Sequence, residues 1–107
     1  MLFTKIAVIS PQEARRIMEQ NDDFILLDVR TPSEYRQVRI EGAKLLPVDE
    51  IGQRAAKELP DKHIPILVYC QSGMRALNAV KMLTRMGYTD AVSFGGIMNW
   101  PYETVSG

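Results

Sequence analysis

The chain of 107 residues carries thirteen basic and thirteen acidic side chains, and 46% of its residues are hydrophobic. That length and apolar content predict a single domain over residues 1–107 whose core needs no disulfide or metal staple. Balanced charge, no basic run interleaved with aromatics and no apolar run of membrane-spanning length argue against nucleic-acid and membrane partners.

In chain order, the N-terminal MLFTKIAVISPQEARR has a short apolar patch. It lacks both a basic region before the patch and a small-residue cleavage site after it, so no signal peptide is expected. Ile6 to Ile9 reads as a strand. Ser10-Pro11-Gln12-Glu13 has the form of a capping box with proline at the first helical position. Phe24 to Val29 is a nearly continuous apolar run, the pattern of a strand buried on both faces. A second capping box, Thr31-Pro32-Ser33-Glu34, opens a short helix to about Gln37. Ala43 to Leu46 predicts another strand, broken by Pro47. Asp49 is read as the cap of a helix carrying Ile51, Ala55 and Leu59.

Ile64 to Tyr69 is the most strand-like run in the chain. From Arg75 a helix places Ala76, Ala79, Val80 and Leu83 on one face and stops at Gly87. Ala91 to Phe94 predicts a last strand, Gly95-Gly96 a turn, and Ile97 to Trp100 a helical turn ended by Pro101. The methionines read mostly as core filling, with Met74 a candidate for shaping a pocket mouth. Strands alternating with helix-length segments require crossovers, hence a parallel sheet covered on both faces: a three-layer α/β/α domain. Ligands of such sheets bind beyond the carboxyl ends of the strands, and Cys70 stands at the carboxyl end of the best one.

Cys70 is the only cysteine and His63 the only histidine. They can form neither an internal disulfide nor a structural zinc site, so no metal or other cofactor is expected and a reducing cytoplasm is the default compartment. A lone cysteine after ILVY is ordinarily just packing. Three features favour chemistry here. The loop Gln71-Ser72-Gly73-Met74 has no acidic side chain, and its glycine permits a backbone path with amides turned inward as an anion nest. The helix that follows adds unpaired amides and the positive end of its dipole. Arg75 supplies a forked cation suited to an oxyanion. A thiolate in such a cradle can attack a sulfane sulfur, attack a phosphate, or be oxidised. No second cysteine resolves a disulfide, and no acid or histidine in the loop donates a proton, which favours sulfur transfer.

Together LLDVRTPSEY (26–35), IEGAKLLP (40–47), CQSGMR (70–75) and GYTDAVSFGGIMNW (87–100) make the chain resemble the rhodanese family of sulfurtransferases over roughly Ile6 to Trp100. The resemblance implies a parallel sheet of about five strands with helices on both faces. It implies that Cys70 carries a persulfide, that the backbone from Gln71 through Ser72, Gly73 and Met74 to Arg75 cradles that sulfur, and that Arg75 helps bind an anionic donor. The partners it implies are a small-molecule or protein-bound sulfane sulfur donor, such as thiosulfate or a persulfide, and a thiol or cyanide acceptor. The loop is the short form, one residue shorter than in the related phosphatases and arsenate reductases. The short loop favours sulfur over the larger oxyanion of a cysteine phosphatase or arsenate reductase, which is one alternative; a rhodanese-like binding module without turnover is the other. The chain departs from the family pattern at Val38-Arg39-Ile40-Glu41, where Arg39 reads as a solvated charge. Asp28 and Arg30, at the end of the LLDVR run, are candidates for site support, more as a pair fixing neighbouring loops than as substrate contacts. His63 reads as a solvated side chain.

Overall fold

The computed structural model describes residues 7–107. Strands β1 (Ile25–Asp28), β2 (Lys44–Leu45), β3 (Ile66–Cys70) and β4 (Ala91–Gly96) form one sheet in the order β2-β1-β3-β4, with every pairing parallel. Between and around them lie helices α1 (Pro11–Gln20), α2 (Pro32–Gln37), α3 (Ile51–Glu58) and α4 (Met74–Arg85). The expectation of about five strands is corrected to four among the described residues. Of the predicted first strand, Ile6 lies outside the described residues, and Val8 makes only an isolated parallel bridge to Ser93. Pairing stops there because the chain turns at once into the Ser10 cap of α1. Among the described residues no helix is long and apolar enough to cross a membrane.

Side chains that alternate along each strand divide the core into two layers. Leu27 and Val29 of the first strand segment join Ile66, Val68 and Cys70 of β3 on the face covered by α3 and α4, where Ile51, Ala55, Ala76, Ala79, Val80 and Leu83 are buried. Leu26, Leu67, Tyr69 and Phe94 point the other way, against Ala14 of α1, Ile40 and Trp100. β3 is buried along its whole length, which explains its unbroken apolar sequence.

The helix starts show which local signals hold. At α2 the capping box is complete: the Glu34 amide donates to Thr31 Oγ1 at 3.2 Å, and the Thr31 amide donates to Glu34 Oε1 at 3.0 Å. At α1 Ser10 accepts the Glu13 amide at 3.0 Å, but the Glu13 carboxylate pairs with Arg16, so the box is half made. Asp49 does not cap α3. A 3-10 turn, Val48–Glu50, runs straight into that helix, and Glu50 is the capping residue without a side-chain bond. Ion pairs of Arg54 with Glu50 and Glu58, one turn to either side, brace α3 instead.

Candidate active site

β3 ends at Cys70 and α4 begins at Met74, so the loop between them must reverse the chain within three residues. Gly73 makes this possible with φ at +122°, a conformation that a side chain would strain. Gly73 is also the N-cap of α4, and it has no side chain to satisfy the free amides there. The Cys70 sulfur takes that role. Its Sγ accepts the Gly73 amide at 3.0 Å and the Ala76 amide at 3.3 Å. The thiol therefore sits where a capping oxygen would, in the first turn of a twelve-residue helix. Amide donors and the helix dipole both stabilise negative charge on that sulfur. Cys70 is only 1% exposed, so its sulfur lies beneath the loop rather than on open surface.

The structure brings the loop residues together around this sulfur. Gln71 and Ser72 are exposed on its outer side, and Met74 is 69% exposed. The Gln71 side chain is tethered from below: its Oε1 lies 3.4 Å from Arg30 Nη1. Arg30 is itself buried and forked onto Asp28, with Nη2 donating to Oδ2 at 2.7 Å and Nε donating to Oδ1 at 3.0 Å. Its Nη2 also donates to the Val38 carbonyl at 2.6 Å, and its guanidinium lies over the Tyr69 ring. Asp28 and Arg30 thus tie the ends of β1 and β3 to the loop after α2.

Arg75 reaches out of the loop to Glu34, donating from Nη1 and Nη2 to the two carboxylate oxygens at 2.8 and 2.9 Å. The same Glu34 Oε1 closes the capping box of α2, so one carboxylate serves a helix start and the cysteine loop together. This dual role is invisible in the sequence, where the cap alone accounts for the glutamate. The Arg75 guanidinium, with help from Thr31, lowers the Glu34 carboxyl from its usual 4.5 to about 2, against the opposing effect of burial. A carboxyl depressed on folding stabilises the fold above its unfolded value and loses that contribution as pH falls through the folded one. The pair should therefore stabilise fully above about pH 4.5 and fade toward about pH 2. Both side chains are about a third exposed, so roughly 1 kcal/mol or less is at stake. Glu34→Gln is expected to flatten that acid limb in urea unfolding measured at pH 5 and pH 3; an unchanged limb would show that the pair does not contribute.

The Gly95-Gly96 pair is not the predicted turn. Both glycines belong to β4, and Gly96 pairs with Cys70. Val68 faces Ser93, so Tyr69 alone is set against Phe94 and Gly95: a bulge directly beside the cysteine. Gly96 is buried under the loop, where a Cβ would stand 2.1 Å from the Gln71 carbonyl oxygen and 2.6 Å from Ser72 Cα. The Gly95 carbonyl oxygen is 4.0 Å from Cys70 Sγ, and the Met98 amide donates to the Gln71 carbonyl at 3.2 Å. The strand end is thus the floor of the loop. Paired glycines are the signal that marked it, and only the pairing register reveals its use.

Other charged candidates sit elsewhere. Arg39 is not a solvated charge: its guanidinium stacks on the Tyr35 ring and its backbone bridges Val105. His63 is exposed, with Nδ1 3.1 Å from Thr89 Oγ1.

Comparison with known proteins agrees with this geometry. Residues 10–102 match the rhodanese-like domain. Thiosulfate sulfurtransferase PspE of Escherichia coli K12 is 36% identical over 81 residues, covering 76% of this chain and 78% of that protein. The probable adenylyltransferase/sulfurtransferase MoeZ of Mycobacterium tuberculosis is 37% identical over 99 residues; the match takes in 90% of this chain but only 25% of MoeZ. Among solved structures, a rhodanese with anions from E. coli superposes with a TM-score of 0.74 at 34% identity, covering 79% of this chain and all of that one. A parallel α/β sheet with a cysteine at its carboxyl edge, and kinship to sulfurtransferases over most of its length, mean that this chain belongs to the rhodanese-like domain family.

Proposed function

We propose that the protein is a sulfurtransferase that carries sulfur as a persulfide on Cys70. The observation that supports this reading most directly is the Cys70 sulfur accepting two amides, from Gly73 and Ala76, at the start of α4. In the first step the Cys70 thiolate attacks the outer, sulfane sulfur of thiosulfate. A sulfur–sulfur bond forms to Cys70, the bond within thiosulfate breaks, and sulfite leaves with its electron pair. In the second step cyanide or a thiolate attacks the terminal sulfur of the persulfide. Thiocyanate or a new persulfide departs, and the electron pair of the broken bond returns to Cys70 as thiolate.

The amides of the cradle hold negative charge at both stages, first on the thiolate and then on the persulfide. Gln71, Ser72, Gly73 and Met74 line the entry, while Arg75, clamped by Glu34, acts on an anionic donor mainly by fixing the loop. A reducing compartment such as the cytoplasm keeps the thiol free for this cycle.

Intact-mass measurement after incubation with thiosulfate tests the proposal. Wild-type protein is expected to gain the mass of one sulfur, to lose it on adding cyanide, and to show no gain as Cys70→Ser. A wild-type chain that never gains sulfur would sink the reading.

A further inference from the structure

We propose that the exposed face of α4 that starts at Met74 docks an acidic protein bearing the thiol that accepts sulfur from Cys70. The inference rests on the sulfurtransferase reading and names the class of its acceptor.

Two observations about charge and one about apolar surface converge on this face. Both arginines beside the cysteine loop are already neutralised, Arg75 by Glu34 and Arg30 by Asp28. Two of the cations that form no ion pair with any described residue, Lys81 and Arg85, lie further along α4. Asn78, Lys81 and Arg85 follow Met74 at helical spacing, all exposed. At 1.5 Å of rise per residue, Lys81 and Arg85 stand about 10 and about 16 Å along the axis from Met74. No small anion held at the sulfur spans that distance, but a protein surface does. One acidic residue, Asp49, borders the same shallow depression with Val48 and Met82, leaving the face net positive.

Apolar exposure marks the other end of the face. Only Val8, Met74 and Met98 are exposed large hydrophobic residues among those described, at 49, 69 and 64%. Two of these three flank the cysteine loop: Met74 lies within the turn into α4, and the Met98 amide holds the Gln71 carbonyl. Flexible thioethers exposed beside a reactive group make an adaptable contact surface for a protein. A cationic row extending away from them selects an acidic partner and steers its approach. A nucleic acid fits less well, because the face offers no aromatic platform for bases and Asp49 interrupts its charge.

Transfer itself is balanced without another reactant. The partner's thiolate attacks the outer sulfur of the Cys70 persulfide, a sulfur–sulfur bond forms on the partner, and Cys70 recovers its electron pair as thiolate.

The test uses two synthetic helical peptides, each with one cysteine, identical except that a row of glutamates in one is glutamine in the other. Binding to the whole protein is read by fluorescence anisotropy, which needs no persulfide; sulfur transfer from thiosulfate-loaded protein is read by mass. The glutamate peptide is expected to bind and accept sulfur roughly tenfold better at low salt, with the advantage fading as salt is raised. Lys81→Glu with Arg85→Glu should abolish that advantage while leaving transfer to cyanide unchanged. Equal behaviour of the two peptides, an advantage that survives in the double variant, or Lys81- and Arg85-dependent binding of single-stranded RNA in place of the glutamate peptide would overturn the docking face and leave the sulfurtransferase reading standing. Charge-dependent peptide binding by a protein that never loads sulfur would overturn the acceptor role and the sulfurtransferase reading together.

Discussion

Gly96→Ala is expected to cut sulfur transfer on the order of a hundredfold, because the added methyl displaces the backbone that cradles Cys70. The new Cβ would stand 2.1 Å from the Gln71 carbonyl oxygen, 2.4 Å from its carbon and 2.6 Å from Ser72 Cα. All three are backbone atoms, so no flexible side chain can swing aside. Either the loop lifts off β4 or β4 retreats from β3, and both move the amides of Gly73 and Ala76 relative to the sulfur. Overpacking of this kind costs about 1–3 kcal/mol of stability, an amount that leaves room for the protein to remain folded while losing turnover. Gly52→Ala is the control: nothing lies within 4 Å of its added Cβ. As an exposed helical glycine, Gly52 should yield a gain of about 0.5–1 kcal/mol and unchanged activity. Thiosulfate–cyanide turnover beside urea unfolding separates the two variants. Wild-type turnover in Gly96→Ala would show that the loop does not depend on its contact with β4.

Arg30→Ala is expected to destabilise the fold by about 3–5 kcal/mol, the largest stability loss of any single change proposed. Asp28 is fully buried, and in the folded protein Arg30 meets both of its oxygens. Removing the guanidinium strands that carboxylate, strips the Val38 carbonyl of its donor and releases Gln71. Replacing the pair together tests the cause. Asp28→Leu with Arg30→Met removes both charges, so it should recover much of the stability lost by the single variant. If the double variant is as unstable as Arg30→Ala, packing or the Val38 and Gln71 contacts carry the effect, not the stranded charge. Arg30→Lys should fall between, since one ammonium cannot fork onto Asp28 and still reach Val38.

Both variants touch residues whose place in the fold was unevenly legible. Asp28 and Arg30 stand two apart at the end of a hydrophobic run, and their pairing follows from that closeness once the run is a buried strand. Gly95-Gly96 reads as a turn because paired glycines usually are one. The close approach that requires Gly96 involves Gln71, a residue on the neighbouring strand's loop, and no local rule reports it. Asp49 was a plausible cap by residue type, yet a 3-10 turn brings Glu50 to the helix start instead. Met98, read with most methionines as core filling, is exposed beside the loop, as Met74 is.

What the sequence by itself determined is the scaffold. Apolar runs alternating with capped, amphipathic segments dictate parallel strands joined by helices, and Cys70 closes the strand that is apolar throughout. Thr31 and Glu34 set a helix start from four consecutive residues. The tertiary structure alone decided how the loop that holds the sulfur is braced. Glu34 and Arg75 are 41 positions apart, and Glu34 already looked satisfied by its cap. Gly96 reaches the cysteine loop only through a bulge that shifts the register of β4 on β3. The reason is physical: periodicity and capping report free energy stored between near neighbours in the chain. The amides on the sulfur are near neighbours of Cys70, but what braces their loop is made from contacts that exist only after the sheet has brought distant strand ends to one edge.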